Sequence, residues 1–323
     1  MIEKSIKLSK IISWYESLNG VVENYGLDVN HIINGPRSIN ISEDTNISFL
    51  SSKIENNIEQ VLSVTNCKVI IIPKNILNSV ESLIPKKGKI FLLNDKPKEL
   101  IVKFCRFFLE FEKPNDYENI HSTAIIEKGA KIGLNNHIGP NVFISKNSEI
   151  SSNCIIGANT VIKNSKLGNF IKIGSNNTIG ENGFGYNKYE SGESDFFPHN
   201  GYVIIYDNVH IGNNNCIDRG SLSDTIINKG VKIDNLVHIS HNVIIGENSF
   251  IIACSMIAGS AVIEENCWVA PSSSIRNNIK VGKNTIIGMG SVVTKNVKDN
   301  QTVLGSPAKD ISEFKSFLKN QKK

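Results

Sequence analysis

None of the six cysteines (Cys67, Cys105, Cys154, Cys216, Cys254 and Cys267) forms a Cys-x-x-Cys pair. Neither a zinc-ribbon spacing nor a disulfide framework is predicted, no metal is expected, and the thiols read as free groups of a reducing compartment. The chain also lacks any uncharged stretch of about 18 residues, and its opening MIEKSIKLSKIISWYESL has no apolar run of the signal-peptide kind. No membrane insertion is expected, and a cytoplasmic location is the corresponding expectation. Charge of one sign is missing too: 35 Lys+Arg against 31 Asp+Glu leave a formal net charge of +4 over 323 residues. The basic cluster Lys319, Lys322 and Lys323 is too small for a surface that tracks phosphates, so nucleic acid is excluded as a partner.

What the chain has is a period. From Ile227 to Val293 an aliphatic residue falls on every sixth position, twelve anchors without a miss. Seven more run from Ile126 to Ile162, and Ile173, Ile179, Ile205, Ile211 and Ile217 bring the set to 24. An amphipathic helix repeats at three and four and a strand at two, so neither explains six. Gly, Asn and small residues after most anchors, as in IGANTV and VGKNTI, supply a tight turn every few residues. The pattern predicts a mainly β chain built on a parallel β-helix of hexapeptide repeats. Its resemblance to known proteins of this repeat class, in which three hexapeptides make one triangular, left-handed coil, implies a left-handed parallel β-helix of eight coils, a prism ~38 Å tall at ~4.8 Å per coil.

Two segments interrupt the period: GFGYNKYESGESDFFPHNGY, Gly183 to Tyr202, and DRGSLSDT, Asp218 to Thr225. Insertions in a solenoid map to loops on one face, often the binding face. A solvated surface loop is the alternative for each, although Phe184, Tyr186, Phe196 and Phe197 are costly to expose in a polar loop. Residues 1–115 carry no six-period and read as an N-terminal α/β domain. Helices are predicted at KLSKIISWYESL and PKELIVKFCRFFLEFE, and strands at ISFL, CKVIIIP and GKIFLLND. The β-helix is expected over 116–300, and 301–323 form a C-terminal extension with a short helix, DISEFKSFLKNQKK.

IHSTAIIEKGAKIG, GFGY, IDRGSLSDT, VKIDN and ISHNV occur in this order. In that order the chain resembles the UDP-3-O-acylglucosamine N-acyltransferases of bacterial lipid A assembly, a family that moves a 3-hydroxyacyl chain from acyl carrier protein to a sugar amine. The resemblance implies a homotrimer, no permanently bound cofactor, and a nucleotide-sugar-binding role for residues 1–115. Two features depart from the family. Ser51-Ser52-Lys53-Ile54 stand after ISFL where an Asn-Pro-Lys-Tyr stretch is usual, and GMGSVVTKNV with VLGSPAK is similar to the end of coenzyme A-dependent sugar acetyltransferases. The leading expectation is transfer of a short acyl group, with or without a 3-hydroxyl, from acyl-CoA to a nucleotide-linked amino sugar for surface glycans. The alternative is the lipid A reaction, with 3-hydroxyacyl-acyl carrier protein and UDP-3-O-acylglucosamine. A non-catalytic hexapeptide scaffold and a sugar nucleotidyltransferase are disfavoured: the first by the retained ISHNV, GFGY and IDRG, the second by the missing Gly-rich nucleotide loop.

Amide formation from a thioester needs a base, oxyanion donors and positioning of both substrates. The resemblance places the base at His241 and an oxyanion-donating backbone N–H at Gly259. Substrate contacts are expected from His199 in the first interruption, from Phe184 and Tyr186, and from His238, which could equally face solvent. Asp234 and Asn235 are candidates to bind sugar or buttress a histidine, with an ordinary β-turn as the competing reading. Lys280, Lys283, Lys295 and Lys309 are expected near the phosphates of an acyl-CoA donor. His31, His121, His137 and His210 are assigned no role.

Overall fold

The computed structural model describes residues 5–17, 23–25, 28–50, 58–80, 83, 87–108, 119–307 and 309–312. The chain divides into two compact units, Met1–Lys113 and Pro114–Lys323.

In the first unit, continuous apolar runs form strands buried on both faces. Val69–Ile72 and Ile90–Leu93 lie parallel at the centre, with Asn46–Phe49 and Gly35–Pro36 to one side and antiparallel Glu23–Tyr25 to the other. Alternation divides the side chains. Val69, Ile71, Ile90 and Leu92 meet the apolar stripes of helices Leu8–Glu16 and Pro97–Phe108, while Ile70, Ile72, Phe91 and Leu93 pack on Leu62 and Val80. Lys89 is buried, and its ammonium donates to the carbonyls of Thr65 and Cys67 at 2.6 and 2.7 Å. The ISFL, CKVIIIP and GKIFLLND strands and both long helices form where the apolar patterns predict them. Ser51–Ile54 lie outside the described residues.

The second unit is a left-handed parallel β-helix. Its three faces are a nine-stranded, an eight-stranded and a ten-stranded sheet, the last ending in an antiparallel pair, Thr302–Leu304 with Lys309–Asp310. Most strands are two residues long, the first facing out and the second in. The six-period arises because each face takes one inward side chain per coil. Ile138 through Val293 stack as one continuous buried column set, with Ile126 and Ile132 partly exposed at the open end. Leu167 joins this column although the period misses it: it follows Ile162 by five residues, because the turn at Asn164 is one residue short. Corners use left-handed backbone, supplied mostly by asparagine, as at Asn141, Asn159, Asn176 and Asn242 (φ 55° to 60°). Asparagine side chains then bond up the stack, Asn141 to Asn159 at 3.1 Å and Asn159 to Asn176 at 3.2 Å. The C-terminal helix expected from Asp310 falls, from residue 313 onward, outside the described residues.

Candidate active site

One edge of the prism, where each nine-stranded-sheet strand turns into an eight-stranded-sheet strand, collects the unusual features. The first interruption leaves strand Thr178–Glu181 at this edge and returns as Val203–Ile205; the second connects Cys216–Asp218 to Thr225–Ile227. The next coils put His241, Gly259, Arg276 and Lys295 at the same edge, 18 residues apart or nearly so.

His241 is partly buried, and its Nδ1 lies 2.9 Å from Oδ1 of Asn242. The amide orientation is fixed by the other end of Asn242, whose Nδ2 donates to the carbonyl and hydroxyl oxygens of Ser223, both at 2.8 Å. Oδ1 can only accept, so Nδ1 carries the ring proton and Nε2 keeps its lone pair. Ser221 also donates to Oδ1, through its hydroxyl at 2.8 Å and its N–H at 3.2 Å. The second interruption thereby sets the tautomer of His241. Gly259 closes on the far side of the ring: a Cβ there would stand 2.7 Å from Cε1 and 2.8 Å from Nε2. The Gly259 N–H donates to no acceptor among the described residues, which suits a backbone donor held ready for an oxyanion.

His199 is 6% exposed and meets His241 edge-on, ring centroids 5.4 Å apart. Its Nδ1 donates to the Phe197 carbonyl at 2.9 Å, which leaves Nε2 as an acceptor, buried with no hydrogen-bond partner. Burial pulls its pKa below the ordinary histidine value, so the ring is neutral at pH 7. From it a chain of ring contacts runs outward: Phe196 stacked at 5.7 Å, Tyr186 on Phe196 at 5.5 Å, and Phe184 on Tyr186 at 5.1 Å. These aromatics ride on the hairpin Tyr186–Lys188 with Ser194–Phe196, and Phe184 is 86% exposed.

Asp218, Asn242 and Arg219 belong to this site although sequence reasoning gave them no role; the signal was their place inside IDRG and ISHNV. Arg219 Nε donates to the Gly201 carbonyl at 2.7 Å and ties the two interruptions together. Asp218 is buried beneath the loop, where a Cβ on Gly183 would come within 2.7 Å of Oδ2. Burial raises its pKa above the usual carboxylate range, against the opposing pull of His238, the Cys216 hydrogen bond, His241 and His199. Burial together with the Asp218 charge pushes the neighbouring Cys216 thiol up to about 11. His238 lies on the nine-stranded sheet beside the edge, its Nε2 3.7 Å from Asp218 and 3.0 Å from the Ser240 hydroxyl.

Other expected site residues stand elsewhere. Asp234 and Asn235 form the corner between the ten- and nine-stranded sheets, away from the His241 edge. Asp234 accepts from the Asn235 N–H at 2.8 Å, and Asn235 Oδ1 accepts from Asn213 on the coil below at 2.7 Å. Their polar groups serve the turn. Lys280 pairs with Glu264 at 2.7 Å and Lys283 with Glu265 at 3.5 Å, neither on the edge of His241. Lys295 is exposed on that edge, three coils or about 14 Å from the His241 level. The Lys309 backbone is in the closing strand pair, and its side chain lies outside the described residues.

Residues 260–295 match the family model described as bacterial transferase hexapeptide (six repeats). Over 98 residues the chain is 44% identical to the UDP-3-O-acylglucosamine N-acyltransferase of Wolinella succinogenes, covering 30% of this chain and 31% of that protein. Over 82 residues it is 54% identical to the enzyme of the same name from Coxiella burnetii, covering 25% and 24%. The chain resembles a hexapeptide-repeat N-acyltransferase. The matched stretch spans less than a third of the length of either curated relative. Among solved structures, the UDP-N-acetylglucosamine acyltransferase of Francisella novicida superposes with a TM-score of 0.53 at 25% identity, covering 59% of this chain and 68% of that one. The corresponding acyltransferase of Bacteroides fragilis gives 0.54 at 26%, covering 59% and 73%. No helix among the described residues is long and apolar enough to cross a membrane.

Proposed function

We propose that this protein is an N-acyltransferase that moves a 3-hydroxyacyl chain from acyl carrier protein to the sugar amine of a UDP-3-O-acylglucosamine acceptor. The observation that carries the reading is His241, a histidine with Nδ1–H anchored on Asn242 and Nε2 left as a base, between Gly259 and His199. The names of the curated relatives favour this acceptor over the short acyl-CoA reading drawn from VLGSPAK. Homotrimeric assembly, a nucleotide-binding role for residues 1–115 and a cytoplasmic location are parts of the same proposal.

In the reaction, the amine nitrogen attacks the thioester carbonyl and Nε2 of His241 takes the amine proton. Negative charge gathers on the carbonyl oxygen, where the Gly259 N–H donates. The C–S bond then breaks, the leaving thiolate takes the proton back from His241, and the amide and a free thiol remain. His199 Nε2, buried and lacking a donor, would accept from a hydroxyl or amine of the acceptor. The aromatic strip from Phe184 to Phe196 offers apolar surface to an acyl chain, each buried CH₂ contributing ~0.8 kcal/mol.

The test is mass spectrometry of products from a panel crossing 3-hydroxyacyl-acyl carrier protein and short acyl-CoA donors with UDP-3-O-acylglucosamine and UDP- or dTDP-linked amino sugars. Amide product from the carrier-protein donor on UDP-3-O-acylglucosamine is expected, and His241→Ala should lower turnover by about 10²–10⁴-fold. Product only from short acyl-CoA on sugars without a 3-O-acyl chain would replace this reading with the surface-glycan one.

A further inference from the structure

Cys216 and Asp218 come from one strand of the nine-stranded sheet and His238 from the next, in a parallel register that sets Cys216 directly beside His238. Cys216 Sγ lies 3.6 Å from Oδ1 of Asp218, and His238 Nε2 lies 3.7 Å from Oδ2. One donor atom from each of the three falls within 4.8 Å of the others. We propose that Cys216, Asp218 and His238 form a binding site for a divalent cation of the zinc class, with the remaining coordination open to solvent.

The donor set selects the ion. Thiolate and imidazole suit zinc and its softer neighbours, whereas magnesium and calcium call for oxygen alone. A tetrahedral ion with bonds of ~2.3 Å to sulfur and ~2.0 Å to nitrogen or oxygen separates its donors by about 3.3–3.5 Å. Two of the observed spacings, 3.6 and 3.7 Å to the two oxygens of Asp218, are within a few tenths of an ångström of that, and the Cys216 and His238 donor atoms lie within 4.8 Å of each other, a gap that an ion would close. Asp218 is held from above by the close passage of the loop at Gly183, so one ligand is already fixed. The His238 side chain is 42% exposed, which gives the ion a way in. On loading, the Cys216 thiol releases its proton to solvent, and His238 Nε2 exchanges its contact with the Ser240 hydroxyl for the cation. The proposal does not rest on the acyltransferase reading and is tested without an activity measurement.

The experiment uses the full chain, stripped with chelator and titrated with Zn²⁺ and separately with Co²⁺. One Co²⁺ per chain should bind with a thiolate-to-metal charge-transfer band, and Zn²⁺ should displace it. Cys216→Ser should abolish the band, and His238→Gln, on the exposed side of the site, should weaken Zn²⁺ affinity about 10–100-fold. Cys254→Ser, at the exposed cysteine, should leave both unchanged. Circular dichroism checks that each variant is folded, and if Cys216→Ser is not, the His238→Gln affinity decides. Failure of the wild-type chain to bind either ion, a band that survives Cys216→Ser, or Zn²⁺ affinity unaltered by His238→Gln would overturn the assignment.

Discussion

Gly259 sits against His241 with no room for another atom, since a Cβ would meet the ring at 2.7–2.8 Å. Gly259→Ala is therefore expected to displace the imidazole and lower turnover at least about tenfold, because misplacement of about 1 Å already costs rate. Melting temperature should change little, as the corner is at the surface, and comparing kcat with the melting curve checks both. Asn242→Ala removes the acceptor for Nδ1 and frees the ring to adopt the other tautomer. Turnover should fall while Asn242→Ala stays folded, with Ser221→Ala milder because Ser223 still holds the amide. His199 makes the stability of the β-helix pH-dependent. Its folded pKa is depressed by burial, so its contribution is complete above the unfolded value near 6.5 and declines as pH falls below it, where only the unfolded chain takes the proton. Urea midpoints should drop from about pH 7 to about pH 5 in the wild type and drop less in His199→Gln. At this scale His241, Gly259 and His199 were legible because they lie in recognisable motifs or an interruption. Asp218 was not, because its meeting with His238 requires the strand register across a long insertion. Asp234 and Asn235 precede the base in sequence but turn a different corner in space.

The hairpin that carries Phe184, Tyr186 and Phe196 joins the solenoid through Arg219, Asn200 and Gly201, not through a core of its own. Its exposed rings are expected to act on substrate and not on folding. Tyr186→Ala should raise the KM for the acyl donor several-fold and leave the unfolding transition of the β-helix unmoved, a split that steady-state kinetics and calorimetry can read. The strands themselves were almost fully legible, since one inward aliphatic residue per face per coil imposes six on the sequence. The anchors missed are Leu167, which lies beyond a turn shortened by a residue, and Val297 and Val303, which stack on Val281 and Ile287 after 16 residues and not 18, changes of spacing that no strict period detects. Of the four lysines expected near a donor, Lys295 stands on the edge of His241, whereas Lys280 and Lys283 do not. Lys280 and Lys283 face Glu264 and Glu265 one coil away, neighbours that only stacking brings together.

Across the whole β-helix, the outward column of the ten-stranded sheet places Phe250, Trp268 and Ile286 one above another, 39%, 44% and 46% exposed, with Phe250 and Trp268 stacked at 5.4 Å. Such a strip on a flat face is expected to be covered by other copies in a homotrimer. Sedimentation should give about three times the 35.6 kDa chain mass, and Trp268→Glu should shift it toward the monomer. A monomer at micromolar concentration in the wild type would count against trimer formation. The fixed count of residues per coil also gives the candidate site a phase. His241, Gly259 and Lys295 share an edge because 18 residues carry the chain once around, and the two long interruptions leave and return at that edge without altering the count above them. Removing a whole turn, residues 262–279, would lower everything above it by one storey and keep every edge aligned. Removing six, residues 244–249, would rotate Gly259 a third of the way round and part it from His241, while the inward column stayed filled. Loss of catalysis in a protein that still folds is the expected mark of the six-residue deletion: in this architecture a site can be broken by arithmetic alone.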